Sequence, residues 1–251
     1  MVKTGKYTII VASMVMIATW SSTHASVENI HAIFGNLLEQ YVQGGVVDYS
    51  GFKAEETVLD RYLDKMADID PAQLSRNEQM AFYINLYNAW TIKLILSKYP
   101  NIASIKELGG LFRTPWEKKI VHLNGRKVTL DDIEHQVLRP EFQDPRIHFA
   151  VNCASKSCPP PINRPYSGPH LDGQLDQATA AFINDPGRNY FDNGTLYVSR
   201  LFKWYRKDFE SGIVEFFKRY ARGELKKQIA AADANLDVAY LPYDWSLNRL
   251  R

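Results

Sequence analysis

From Met80 to Leu96 apolar residues fall on every side of the helical repeat, with Phe82, Ile84, Leu86, Tyr87, Trp90, Ile92 and Ile95 pointing in all directions. A helix apolar all round belongs in the centre of a fold. Ser75 and Glu78 have the spacing of a capping box at its start, and Pro100 lies just past its end. Asn85, Asn88 and Thr91 recur at i, i+3 and i+6, so this central helix carries one polar strip. Buried amides need partners. The strip is either a satisfied core network or one wall of a binding site.

Two amphipathic helices are predicted ahead of it, over Val27 to Val42 and Thr57 to Met66, the first ended by Gly44-Gly45. Asn124-Gly125 and Asn193-Gly194, each between short apolar arms, predict two β-hairpins. Thr129 caps a helix whose core stripe is Leu130, Ile133, Val137 and Leu138, with Glu134 at its edge. Beyond Ser199 an aromatic helix through Phe209 is expected, then helices over Ile213 to Arg222 and Glu224 to Ala232, and a short closing strand near Val238. The fold class is therefore α+β, mostly helical, with a small, largely antiparallel sheet and two hairpins around a central buried helix.

The first 25 residues follow another logic. Lys3 and Lys6 precede an apolar run of 14 residues, Tyr7 to Trp20, and Thr23-His24-Ala25 has the small-x-small end of a cleaved export segment. The run is shorter than the roughly 20 residues that span a bilayer. Residues 1–25 are expected to be removed, leaving 26–251 as a single globular domain in the periplasm or outside the cell, with no stable membrane insertion. The whole chain has a formal charge of +2, and the export segment holds two lysines and no acid, so the remainder is formally neutral. That balance argues against a nucleic-acid partner, which would show as excess Lys and Arg. A small molecule or peptide is the expected partner.

Chemistry concentrates between Asp144 and Pro161. Arg146 to Asn152 reads as a buried strand delivering a loop with the only two cysteines, Cys153 and Cys158. On a regular strand His148 and Cys153 would face opposite sides about 16 Å apart. Cys158 can turn back towards His148, with Lys156 nearby to favour its thiolate. Cys158, His148 and Glu134 are thus the candidate catalytic residues, expected to share one pocket, and Asn85, Asn88, Cys153 and Lys156 the candidate binding residues. The competing expectation is a Cys153–Cys158 disulfide, the default for a lone pair in an oxidising compartment, closing a loop worth roughly 2 kcal/mol. No Walker, GxGxxG, HExxH, paired CxxC or GxSxG motif occurs, and His122, His135, His148 and His170 lack metal-ligand spacing. No metal and no cofactor are expected.

Seven blocks carry a resemblance: Val47-Asp48-Tyr49, the run Ala81 to Ala89, Leu130-Asp-Asp-Ile-Glu-His135, Arg146-Ile-His-Phe-Ala150, Cys153-Ala-Ser-Lys-Ser-Cys-Pro159, Phe202-Lys-Trp-Tyr205 and Tyr243-Asp-Trp-Ser-Leu-Asn248. In this order they resemble the domain of unknown function 547 family. The resemblance implies an exported bacterial protein and carries no established activity. Three readings stay open: a thiol-dependent hydrolase or acyl transferase using Cys158 and His148; a thiol–disulfide or redox-sensing protein; and a non-catalytic periplasmic binding module with a structural Cys153–Cys158 bridge.

Overall fold

The structure, a computed structural model, describes residues 30–232 and 236–250. The export segment expected over residues 1–25 lies outside them. Helix α1 (residues 30–41) runs into a hairpin of β1 (Val42–Gln43) and β2 (Val46–Val47). Gly44 and Gly45 turn it with φ of 56° and 79°, a region that costs glycine little. The glycine pair thus makes a hairpin where the sequence predicts only a helix end. Helices α2 (Tyr49–Ala54) and α3 (Glu56–Ala67) follow, the first capped by Asp48 accepting from Ser50 and Gly51 amides.

Helix α4 (Arg76–Leu96) is the predicted central helix, and Glu78 accepts the Ser75 amide at 3.0 Å to complete its cap. Phe82, Ile84, Leu86, Ile95 and Leu96 on it are fully buried against Phe34, Phe52, Leu59 and Tyr62. Burying each such side chain contributes about 1.5–3 kcal/mol. The two asparagines of the polar strip are satisfied by backbone, while Thr91 Oγ1 is buried with no hydrogen-bond partner among the described residues. Asn85 accepts the Tyr166 amide at 2.9 Å and donates to the Tyr166 carbonyl at 2.7 Å, and Asn88 ties the Ala150 carbonyl to the Asn152 amide. Beside it, buried His31 meets Tyr62 Oη at 3.0 Å through Nδ1.

The hairpin of β3 (Val121–Leu123) and β4 (Arg126–Val128) turns at Asn124-Gly125 as predicted. Thr129 and Asp132 then exchange amide-to-side-chain bonds at 2.8 Å each. The helix they start is wound as a π-helix over Asp132–Phe142. Pro140 inside it has no amide and would crowd the carbonyl four residues back in an α-helix, so the wider winding suits the sequence.

Arg146 to Asn152 is not a strand. Asp144 accepts the Arg146 amide, Pro145 takes the first position, and Pro145–Phe149 forms a 3-10 helix. Local capping defeats the extended reading of a short apolar run. Helix α5 (Leu171–Ile183) follows, unpredicted, burying Leu175, Ala178 and Phe182. Strands β5 (Tyr190–Asp192) and β6 (Thr195–Val198) form the second predicted hairpin. Helix α6 (Leu201–Trp204) is only four residues long and gives way to a 3-10 turn at Arg206–Asp208, not the longer helix expected. Helices α7 (Ile213–Tyr220) and α8 (Gly223–Ala231) precede β7 (Asp237–Tyr240), which joins β6 in parallel. The small sheets are otherwise antiparallel, and the class is α+β. Among the described residues no helix is long and apolar enough to cross a membrane.

A second apolar cluster gathers Phe149, Phe182, Phe202, Phe209, Phe216 and Phe217, while Ile147 and Ala150 belong to the cluster around α4. The residues either side of His148 are therefore anchored in different cores. The chain past β7 returns to the thiol loop: Lys156 and Ser157 amides donate to Ser246 and Asp244 carbonyls, and the Asn248 amide donates to Ala154. Asn248 also accepts from Tyr49 Oη at 2.8 Å, 199 positions away.

Candidate functional site: a thiol and a histidine on one aromatic cavity

The thiol loop is shaped by Asn152. Its side chain accepts the Ala154 amide at 2.8 Å and donates to the Pro159 carbonyl at 2.7 Å, pinning both ends. Ala154 is held at φ 58°, a left-handed conformation that costs an alanine about 1 kcal/mol and persists only where its surroundings impose it. The turn brings the two cysteines together without joining them. The Cys153 amide donates to Cys158 Sγ at 2.9 Å, while Cys153 Sγ lies 3.1 Å from Tyr243 Oη and 3.2 Å from Ser155 Oγ. The expected disulfide is absent: both cysteines are free, each sulfur being turned to a hydrogen-bond partner. Their environments differ. Burial raises the Cys153 thiol, but hydrogen bonds from Cys158, Ser155 and Tyr243 outweigh it and bring it below the ordinary thiol range. Burial and the neighbouring Cys153 push the Cys158 thiol well up. Cys153 is also the more exposed of the two.

His148 is 1% exposed. Its Nε2 lies 2.6 Å from Asp208 Oδ2, and its ring stacks on Tyr205 with centroids 3.8 Å apart. Arg139 grips the same carboxylate with two bonds of 2.6 and 2.7 Å. Partial burial raises the Asp208 carboxyl, but His148 and Arg139 outweigh it and hold it well below the usual range. An ionised Asp208 can only accept, so Nε2–H donates to it, and in the neutral imidazole that tautomer leaves the lone pair on Nδ1. Nδ1 is buried and has no hydrogen-bond partner among the described residues.

Glu134 projects from the buried side of the π-helix and is 4% exposed. Its Oε1 is also buried without a hydrogen-bond partner among the described residues. Tyr205, stacked on His148, is its neighbour: burial, then the Glu134 charge and hydrogen bond, push the phenol far up.

These groups line a cavity of about 210 Å³. Glu134, His148, Cys153 and Cys158 all face it, with Tyr205 and Tyr243. The structure so brings together three candidate catalytic residues although they come from a π-helix, a 3-10 helix and a loop. Asn85 and Asn88 lie away from it, bonded to backbone. Lys156 does not line it either, standing 3.8 Å from Asp244 at the surface. With no strand there, Cys153 does not face away from His148; both line the cavity, and Cys153 is the thiol that its neighbours lower. Sequence reasoning passed over Asp208, 60 positions from His148 with no local signal. Tyr205, Tyr243 and Trp245 fell within the family blocks without being singled out. Among the described residues no group of three or more His, Cys, Asp or Glu is gathered as for a metal ion.

Residues 71–183 match the sequence model of the family described as protein of unknown function, DUF547. This segment contains the central helix, Glu134, His148 and both cysteines, whereas Tyr205, Asp208, Tyr243 and Trp245 lie beyond it. No curated protein and no solved structure matches the chain.

Proposed function

We propose that this cavity is the site of thiol-dependent acyl transfer, to water or to another acceptor, with Cys153 as nucleophile in place of the Cys158 that the sequence favours. The observation that carries the reading is the Asp208–His148 pair, with Nδ1 left free, on a cavity that also holds the lowered thiol of Cys153. His148 Nδ1 takes the thiol proton, and the sulfur attacks an acyl carbon. The carbon–sulfur bond forms as the bond to the leaving group breaks, and the leaving group departs with the proton from Nδ1. Water or a second nucleophile then attacks the thioester, giving its own proton to Nδ1, and the carbon–sulfur bond breaks as that proton returns to the Cys153 sulfur. Asp208, steadied by Arg139, orients the imidazole and stabilises its charged form, the role of the third member in a triad. Cys158 Sγ and Tyr243 Oη support the thiolate. On the pattern of residues 1–25 we place this activity outside the cytoplasm.

The test is selective alkylation of the native protein with iodoacetamide, followed by peptide mass mapping. Cys153 should label first, and His148→Ala should slow it. Equal slow labelling of both cysteines in both proteins would sink the reading.

A further inference from the structure

We infer that the cavity takes a group carrying a positive charge, a primary ammonium at the end of a short aliphatic chain. The inference deepens the acyl-transfer reading, on which it rests for the role of the bound amine as substrate or acceptor, but the binding itself does not require the thiol.

The charges facing the cavity are of one sign. Asp131 and Glu134 line it, with His135 and His148, and among the described residues no lysine or arginine does. His148 is committed to Asp208 through Nε2, and the nearest guanidinium, Arg139, is spent on the same carboxylate. Burial raises the Asp131 carboxyl, and Glu134, Glu117 and Asp132 raise it further against the pull of His135, so the carboxylates feel one another. Glu134 Oε1 is the acceptor left over, buried and unpartnered at the cavity wall. A buried carboxylate oxygen without a donor is costly unless a ligand supplies one.

The remaining wall is aromatic. Trp116, Trp204, Trp245 and Tyr243 line the cavity and pack at tilted angles, with Trp204 to Tyr243 at 4.8 Å and Tyr243 to Trp245 at 4.5 Å. Ring faces attract cations. This group already holds one, Lys106 Nζ at 4.3 Å from the Trp245 ring centre. A cation–π surface, a buried carboxylate oxygen without a donor and a described lining free of lysine and arginine together favour an ammonium. A sugar would also stack on indoles, but a cavity of about 210 Å³ is closer to one side chain than to a disaccharide. It would also leave the excess negative charge unanswered.

The probes are n-pentylamine, its neutral isostere n-pentanol, and glucose, titrated at pH 7 against the full chain with tryptophan fluorescence and calorimetry as readouts. Pentylamine should bind at least about tenfold more tightly than pentanol, the share of one hydrogen bond to a charged group. Glu134→Gln should abolish that preference. Trp204→Ala, at a rim residue 46% exposed and so safe for folding, should weaken pentylamine about threefold. The alkylation pattern of Cys153, read separately on the parent and on His148→Ala, keeps the two readings apart. Loss of the alkylation pattern with the amine preference intact overturns only the thiol chemistry. Equal affinity for pentylamine and pentanol, or tighter binding of glucose, overturns the cationic ligand whatever Cys153 does.

Discussion

The amide of Cys153 donates to the sulfur of Cys158 across 2.9 Å, so two cysteines five positions apart meet through a hydrogen bond and not a covalent bridge. The arrangement divides their labour. Cys158 is the thiol buried and held neutral; Cys153 is the one whose charge its neighbours support.

Removing that support should be visible in Cys153 alone. In Cys158→Ala the pH at which Cys153 becomes half-reactive towards iodoacetamide should move up, because the largest of the hydrogen bonds lowering its thiol is gone. An unchanged profile would show that Ser155 and Tyr243 suffice.

Asp208→Asn should cost about 2 kcal/mol at pH 7, since Arg139 and His148 both lose their bond to a charged acceptor. The folded carboxyl lies below its ordinary 3.8, so the contribution is present above that value and lost as pH falls through the folded one. Urea midpoints of parent and variant should therefore differ at pH 7 and draw together only as the pH falls below 3.8 towards the folded value. A constant gap would place the effect in packing.

His31 sets a second pH dependence, higher up. Burial lowers it from 6.5 to about 4, so the unfolded chain binds a proton that the folded one refuses. Stability is complete above pH 6.5 and declines towards pH 4, by about 3 kcal/mol from this group. His31→Gln should flatten that decline, whatever it costs at pH 7. Parallel pH–stability curves for parent and variant would rule His31 out as the source.

Asn85 and Lys156, equally plausible in the sequence as ligand-binding residues, should part company on substitution. Asn85→Leu strands the amide and carbonyl of Tyr166 and should cost about 1–3 kcal/mol in urea. Lys156→Ala breaks only a 3.8 Å surface pair and should stay within about 0.5 kcal/mol. Equal midpoints for Asn85→Leu and the parent would contradict its burial.

What could be read from the sequence was what is locally determined. Ser75 and Glu78 cap a helix whose apolar residues face all ways, and Asn-Gly pairs turn two hairpins, because those signals act within a few residues. Arg146 to Asn152 misled because a short apolar run suits a buried strand or a buried turn, and Asp144-Pro145 decides it through capping. Helix α5 escaped because Gly173 and Thr179 weaken its pattern, while tertiary packing buries Leu175 and Phe182 regardless. Glu134, His148 and Cys158 were each awkward alone and so could be singled out. Asp208 could not, since an acidic residue in a basic turn looks like any surface charge until Arg139 and His148 are brought to it.

The segment 243–248, which closes over the thiol loop and hydrogen-bonds Ala154, Lys156 and Ser157, gives the site a schedule. A chain made from its amino end carries Cys153 and Cys158 into the open well before Tyr243 and Ser246 exist. At synthesis rates of about 5–20 residues per second, the 90 positions from Cys153 to Tyr243 leave the pair uncovered for on the order of ten seconds. The Cys153 sulfur is thus most accessible to oxidants and to wrong partners at birth, until the segment that shelters it arrives 90 positions later.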